Sequence, residues 1–303
     1  MKTRRIFVSL PADSWLTEQE NKTKWAIVAR IEELGYVTEV FTDPRGTTSL
    51  AASQAWSAVE CENVMRHCDG CALLGFPRWR LTQGDSTFDL ATDFNHYEGA
   101  LAHTLALPLL VLVQQGVQRR VVFDSSYKGY VGVIPHEPTP AWLDEKGFRV
   151  PFGYWKEHLE KRRDVFLGYC STSSATALKV KGYLVGELGA TVLDWAFDFD
   201  PAETILHRIQ DAARRCNAGI FLFTKDDALP AKAGDKNRAV PRDNVVFEAG
   251  YFCASKEKSR VLIVRQDGAK MPADLGGDIY AKLTDPNDIG PIKPVLRQFL
   301  AAL

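Results

Sequence analysis

Short apolar runs of strand length alternate along the chain with stretches in which apolar residues recur every three or four positions. Arg4–Leu10, Tyr36–Phe41, Cys71–Gly75 and Leu107–Val113 read as strands, and helical spacing marks about 18–34, 55–67 and 94–105. The polar stretch 42–53 predicts a loop, and Phe76–Asp93 a long connection. Apolar strands alternating with helices predict a parallel sheet covered on both faces.

Pro135, Pro138, Pro140 and Pro151 then interrupt the pattern. Proline removes a backbone donor and biases the residue before it away from helix, so this density predicts a first domain over 1–135 and an extended linker over 136–162. A second domain, 163–303, starts the pattern again. Asp164–Cys170, Gly189–Trp195, Gly219–Thr224 and Arg260–Arg265 read as strands or strand entries, with helices over Ala175–Leu188, Ala202–Cys216 and Asp243–Ala254. The fold class is therefore α/β, with two consecutive domains, each a parallel sheet flanked by helices.

The halves can be laid on each other. Cys68-Asp-Gly-Cys-Ala-Leu-Leu74 matches Cys216-Asn-Ala-Gly-Ile-Phe-Leu222, and Glu98 and Glu248 follow at nearly equal distance, each in a helix that precedes an apolar strand. Units of this class resemble one another generically, so the match does not establish common ancestry. It does place one carboxylate per domain near the carboxyl edge of a parallel sheet.

The helix of Glu248 is the more distinctive. Pro241 keeps the approach extended and Asp243 suits an N-cap. Val245, Val246, Ala249, Phe252 and Cys253 form one broad arc and Phe247 and Tyr251 cover much of the rest, leaving Asn244 and Glu248 as an i,i+4 polar pair. A helix apolar nearly all round is expected to be buried, where the pKa of a carboxyl rises. The same pattern also admits a Glu248 that faces solvent or answers the positive end of the helix dipole.

Composition narrows the function classes. A chain of 303 residues can bury two cores, and 46% hydrophobic with 25% charged residues is ordinary for a globular protein. The net charge of −1 gives no general attraction to nucleic acid or anionic membrane, and no basic cluster supplies a local one. No apolar run approaches the ~18 residues of a membrane span, and the apolar segment after Met-Lys-Thr-Arg-Arg is too short for a secretion signal, so a cytoplasmic protein is expected. The six cysteines read as small hydrophobes; Cys68-Asp-Gly-Cys71 lacks the second pair that a tetrahedral metal site requires, and no metal is expected.

Ligands of open parallel sheets sit beyond the carboxyl ends of the strands. There the second domain offers Cys170–Ser174, Trp195–Asp200 and Thr224–Asp227, joined by Arg242, Asn244 and Glu248. Ser171 and Ser173 can bring backbone N–H groups and a helix dipole to a phosphate, Trp195 can stack on a base, and Arg242 can pair with an anion. Asp226 and Asn244 complete the polar set, although Asp226 also suits a turn. The inventory fits a dinucleotide, yet neither Gly-x-Gly-x-x-Gly nor a P-loop is present.

The run Pro241-Arg-Asp-Asn-Val-Val-Phe-Glu-Ala-Gly-Tyr-Phe252, placed after Phe221-Leu-Phe-Thr-Lys-Asp-Asp227 and before Arg260-Val-Leu-Ile-Val264, with Met271-Pro-Ala-Asp-Leu-Gly276 downstream, resembles the bacterial TIR-like domains described as nucleotide-binding. The resemblance covers about Arg163–Leu303. It implies a flavodoxin-like, TIR-like fold and hydrolysis of NAD⁺, as substrate rather than cofactor, in an anti-phage effector that works as a homo-oligomer, with Glu248 as the catalytic glutamate. The segment Gly168-Tyr-Cys-Ser-Thr-Ser-Ser174 departs from the more typical Gly-Ser-Ser-Ser-Glu, which bears on the phosphate and ribose contacts.

Phe94-Asn-His-Tyr-Glu-Gly-Ala-Leu-Ala-His103 gives about Arg4–Ile134 a resemblance to nucleoside 2-deoxyribosyltransferase-like domains, in which a glutamate at this place is a nucleophile. Glu98 then reads as a second glycosyl-chemistry residue, as a contact in a domain that senses a nucleotide second messenger or mediates assembly, or as a solvated helix residue. Three functions remain open at this point. They are an NAD⁺-cleaving effector, a non-catalytic nucleotide-binding scaffold, and a nucleoside transferase acting through Glu98.

Overall fold

The computed structural model describes residues 3–41, 43–45, 50–51, 55–128, 130–194, 204–228, 239–272, 275 and 280–303. These form two compact units, Thr3–Lys161 and Arg162–Leu303.

The first unit contains β1 (Arg5–Ser9), α1 (Glu18–Glu32), β2 (Val37–Glu39), α2 (Ala58–Arg66), β3 (Gly70–Gly75), β4 (Trp79–Gln83), β5 (Ser86–Leu90), α3 (Asp93–Thr104), β6 (Leu109–Gln114), α4 (Ser125–Lys128), β7 (Gly132–Ile134) and α5 (Lys146–Glu160). Five strands make one parallel sheet in the order β2-β1-β3-β6-β7. Alternation along the strands sorts the core into two layers. Phe7, Leu73, Val111 and Val113 pack with α2 and α3, whereas Ile6, Val8, Leu74, Leu110 and Leu112 pack with α1 and α5.

Two segments depart from the sequence reading. The connection expected over Phe76–Asp93 contains an antiparallel hairpin, β4 with β5, turning at Gly84, whose φ of +60° falls in the left-handed region that glycine tolerates. The expected linker 136–162 is instead folded into the first unit, mostly as α5 with Pro151 inside it. Phe148, Pro151, Trp155 and Leu159 lie buried along one face of that helix, and Trp155 Nε1 donates to the Pro108 carbonyl at 3.1 Å. Burying a large side chain is worth about 1.5–3 kcal/mol, so two aromatics and a leucine outweigh the roughly 3 kcal/mol that an interior proline costs.

The second unit contains β8 (Arg163–Gly168), α6 (Ser174–Gly186), β9 (Val192–Asp194), α7 (Ile205–Arg215), β10 (Cys216–Phe223), β11 (Asp227–Ala228), β12 (Ala239–Val240), α8 (Asp243–Lys256), β13 (Val261–Gln266), β14 (Ala281–Leu283) and α9 (Lys293–Ala301). Its parallel sheet runs β9-β8-β10-β13-β14, the same path as in the first unit. Val165, Leu167, Ile220 and Leu222 face α6 and α9; Phe166, Phe221, Phe223 and Ile263 face α7 and α8. In both units the chain crosses from one side of its first strand to the other between that strand and the third. That reversal opens a crevice at the carboxyl ends of β8 and β10, and of β1 and β3.

Candidate active site

The approach to α8 is set by Pro241, which holds Arg242 extended (φ −59°, ψ 135°) as the N-cap; Asp243, expected as the cap, is instead the first helical residue. The Arg242 backbone N–H donates to Asp226 Oδ2 at 3.0 Å, so a carboxylate from the preceding loop does the capping work. Val245, Ala249 and Phe252 anchor the helix on the sheet, with the Phe252 ring stacked on Phe166 at 5.2 Å and edge-on to Phe221 at 5.3 Å. Phe247 is 53% exposed, so the helix has one solvent face and is not buried all round as its composition led us to expect. Glu248 is on the inner side, with only 4% of its surface exposed.

It borders a cavity of about 750 Å³ lined by Tyr169, Cys170, Ser171, Ser174, Ala175, Leu178, Asp194, Arg242, Asn244 and Val245. Glu248 Oε2 has no hydrogen-bond partner among the described residues. Burial pushes the pKa of this carboxyl up to about 8. Gly168, at the end of β8, makes the room: a Cβ there would lie 2.8 Å from Glu248 Oε2 and 2.5 Å from the Phe221 ring.

Of the residues proposed from sequence, Ser171, Arg242 and Asn244 line the cavity with Glu248. Ser173 and Asp226 do not. The Ser173 hydroxyl is turned to Thr224 Oγ1, 2.6 Å away. Asp226 Oδ1 accepts from Thr172 Oγ1 and Thr224 Oγ1, both at 2.7 Å, so Asp226 ties together three loops beside the cavity. Trp195 lies outside the described residues.

Among the cavity residues to which the sequence reading gave no role are Asp194 and Cys170. Asp194, at the end of β9, is buried and accepts from Tyr169 Oη at 2.8 Å and Lys181 Nζ at 2.9 Å. Cys170 was taken for a small hydrophobe. Burial raises the pKa of its thiol, but the neighbouring Thr172 and the Arg242 guanidinium outweigh burial and hold it below the ordinary value. Both sit just where β8 and β9 end, the positional signal that could have found them.

In the first unit Glu98 is the sixth residue of α3, as Glu248 is of α8. It is 5% exposed, which excludes the solvated-helix reading. It lines a cavity of about 230 Å³ and accepts from Trp56 Nε1 at 2.9 Å. Burial raises its pKa to about 7, opposed by hydrogen bonds from Ser9 and Trp56. The thiols of Cys68 and Cys71 are both free and buried, and that of Cys68 donates to the Val64 carbonyl at 3.3 Å. Among the described residues no helix is long and apolar enough to cross a membrane.

Residues 164–285, which include every residue lining the larger cavity, match the family model for the TIR domain of the CAP12/Pycsar effector protein. CD-NTase-associated protein 12 from Flavobacterium daejeonense is 34% identical over 118 residues, 37% of this chain and 35% of that protein. The Pycsar effector protein BcPycTIR from Burkholderia cepacia is 28% identical over 113 residues, 35% of this chain and 37% of that protein. Among solved structures, the TIR domain of the Toll-related receptor TRR-2 from Hydra magnipapillata aligns with 45% of this chain and 98% of its own length, at 13% identity and a TM-score of 0.34. The chain spans about a third of the length of the curated relatives named here.

Proposed function

We propose that the second unit, whose residues 164–285 carry the CAP12/Pycsar TIR match, is an NAD⁺ glycohydrolase serving as the effector of an anti-phage signalling system. In this reading the first unit receives a nucleotide signal or mediates assembly, and the active form is a homo-oligomer. The observation that carries the reading is Glu248, a buried carboxyl with a free oxygen on the wall of a cavity large enough for a nucleotide.

The chemistry asks little more of the protein. The bond between C1′ of the ribose and the nicotinamide nitrogen breaks, nicotinamide leaves neutral with the bonding pair, and water adds to C1′ with release of a proton. Positive charge moves onto the sugar as the bond lengthens. An unsolvated carboxylate beside C1′ stabilises that charge far better than one already satisfied by hydrogen bonds. Binding the cationic nicotinamide end of the substrate opposes the burial that holds Glu248 protonated, so substrate itself favours the ionised form. In this reading the exposed guanidinium of Arg242, which lines the cavity, and the backbone after β8 hold the phosphates.

Incubation with NAD⁺ and chromatography for nicotinamide tests the proposal. Glu248→Gln is expected to lower the rate by about a hundredfold or more, the scale for removing a principal electrostatic stabiliser. Equal rates in the native protein and the variant would remove Glu248 from the mechanism. Tight binding of NAD⁺ without turnover by the assembled protein would favour a non-catalytic nucleotide-binding role.

A further inference from the structure

Breaking the nicotinamide bond makes no use of Asp194, although this carboxylate lines the larger cavity with only 3% of its surface exposed. It ends β9, in register with Leu167 of β8. Side chains alternate along β9: Val192 packs on the α6 side of the sheet, Leu193 on the α7 and α8 side, and Asp194 turns to α6 again. There Lys181 Nζ meets its Oδ2 at 2.9 Å, and Tyr169 Oη donates to its Oδ1 at 2.8 Å. Glu248 comes from α8. The two carboxylates therefore enter one cavity from opposite faces of the sheet, with the end of β8 between them.

In the NAD⁺ reading, on which this assignment rests, Glu248 takes the nicotinamide ribose and the backbone after β8 takes the phosphates. The second ribose then falls on the α6 side. A carboxylate held by a phenol and an ammonium is a fixed acceptor, which suits the hydroxyls of a ribose. It can take about four hydrogen bonds, so these two donors orient it without by themselves exhausting it. An acidic residue ending the strand beside the phosphate turn is where open parallel sheets hold an adenosine ribose; the strand order β9-β8-β10 provides that place even without the glycine fingerprint. Ala175 and Leu178 give the α6 wall an apolar surface for the adenine.

The same carboxylate sets a limit. A phosphate on the 2′-oxygen brings about −1.5 to −2 of charge, and against a buried carboxylate that charge is repelled at short range. The nearest cation, Lys181, is already engaged with Asp194. We propose that Asp194 is a specificity-determining residue, which accepts from the adenosine 2′-hydroxyl of NAD⁺ and excludes the 2′-phosphate of NADP⁺. Tyr169 and Lys181 hold it in place.

The test compares NAD⁺, NADP⁺ and the NAD⁺ analogue built on 2′-deoxyadenosine, by nicotinamide release in the native chain and by calorimetric binding in Glu248→Gln. NAD⁺ is expected to be favoured over both others by about tenfold or more in kcat/KM and in Kd, the scale of one hydrogen bond to a charged group. Asp194→Ala leaves Lys181 to meet the 2′-phosphate, so NAD⁺ and NADP⁺ should come within about threefold of each other and the deoxy analogue should match NAD⁺. Asp194→Asn keeps the shape and an acceptor but not the charge. It should narrow the NADP⁺ gap and keep part of the gap to the deoxy analogue. A merely destabilised variant loses all three substrates by one factor and leaves their ratios untouched. Equal handling of NAD⁺ and NADP⁺ by the native chain, or native ratios in Asp194→Ala, would overturn the assignment. Absence of nicotinamide with NAD⁺ still preferred in binding would overturn the glycohydrolase reading and leave the role of Asp194 standing.

Discussion

Glu98 and Glu248 occupy the same step of equivalent helices, yet their surroundings separate their chemistry. Glu98 takes hydrogen bonds from Ser9 and Trp56, and its pKa rises only to about 7; burial acts alone on Glu248 and takes it to about 8. A carboxyl raised in the folded state binds its proton more tightly there than in the unfolded chain, so stability falls as pH climbs between the unfolded and folded values. Glu248→Gln cannot ionise. Its stability relative to the native protein is therefore expected to grow from about pH 4.5 to about pH 8 and then level off. The slope can reach at most about 1.4 kcal/mol per pH unit. Urea midpoints of the two proteins across this range measure it, and a gap that does not vary with pH would mean that Glu248 is ionised in both states. Burial of Glu248 was legible in the sequence because Val245, Ala249 and Phe252 flank it at helical spacing. The roles of Ser173 and Asp226 were not, because a hydroxyl or carboxylate in a loop reads the same whether it faces a ligand or a neighbouring loop.

The elements were easier to read than their connections. Strands with an unbroken apolar run were found, as were the three-residue β2 and β9, whereas the equally short β7 and β14 were not. The hairpin β4–β5 was missed although Trp79-Arg-Leu-Thr-Gln83 and Ser86-Thr-Phe-Asp-Leu90 surround Gly84-Asp85, a hairpin signal submerged in an exposed stretch. In α5 proline was weighed as a breaker, but Phe148, Trp155 and Leu159 have partners on the sheet that only the three-dimensional arrangement provides. Loop coupling beside the larger cavity has a direct test. Asp226 holds Thr172, Thr224 and the Arg242 backbone at once, so Asp226→Ala frees the loop after β8 and the start of α8 together. Loss of these bonds is expected to cost about 1–3 kcal/mol and to weaken NAD⁺ binding, while Asp226→Asn, which keeps an acceptor, should lose less. Urea denaturation and calorimetric titration read the two effects. Full NAD⁺ affinity in a destabilised Asp226→Ala would show that the clasp serves only the fold.

At the scale of the whole molecule, each unit has a complete five-stranded sheet with apolar layers on both faces, so neither needs the other to bury its strands. The resemblance between the halves that was visible around Cys68 and Cys216 reaches through strand order to the placement of the two glutamates, but the cavities differ more than threefold in volume and in what lines them. One path of the chain thus frames two cavities of different size. Calorimetric unfolding of full-length Glu248→Gln, which binds NAD⁺ without consuming it in the proposed mechanism, should then show two transitions. Saturating NAD⁺ is expected to raise one of them, by about 5–10 °C at a hundredfold excess over its dissociation constant, and to leave the other in place. Because a ligand stabilises only the folding unit that holds it, movement of both transitions by NAD⁺ would mean that the two units exchange binding energy. That outcome would be the thermodynamic signature of a first unit that regulates the second, and a single transition raised by NAD⁺ would mean that the units unfold as one.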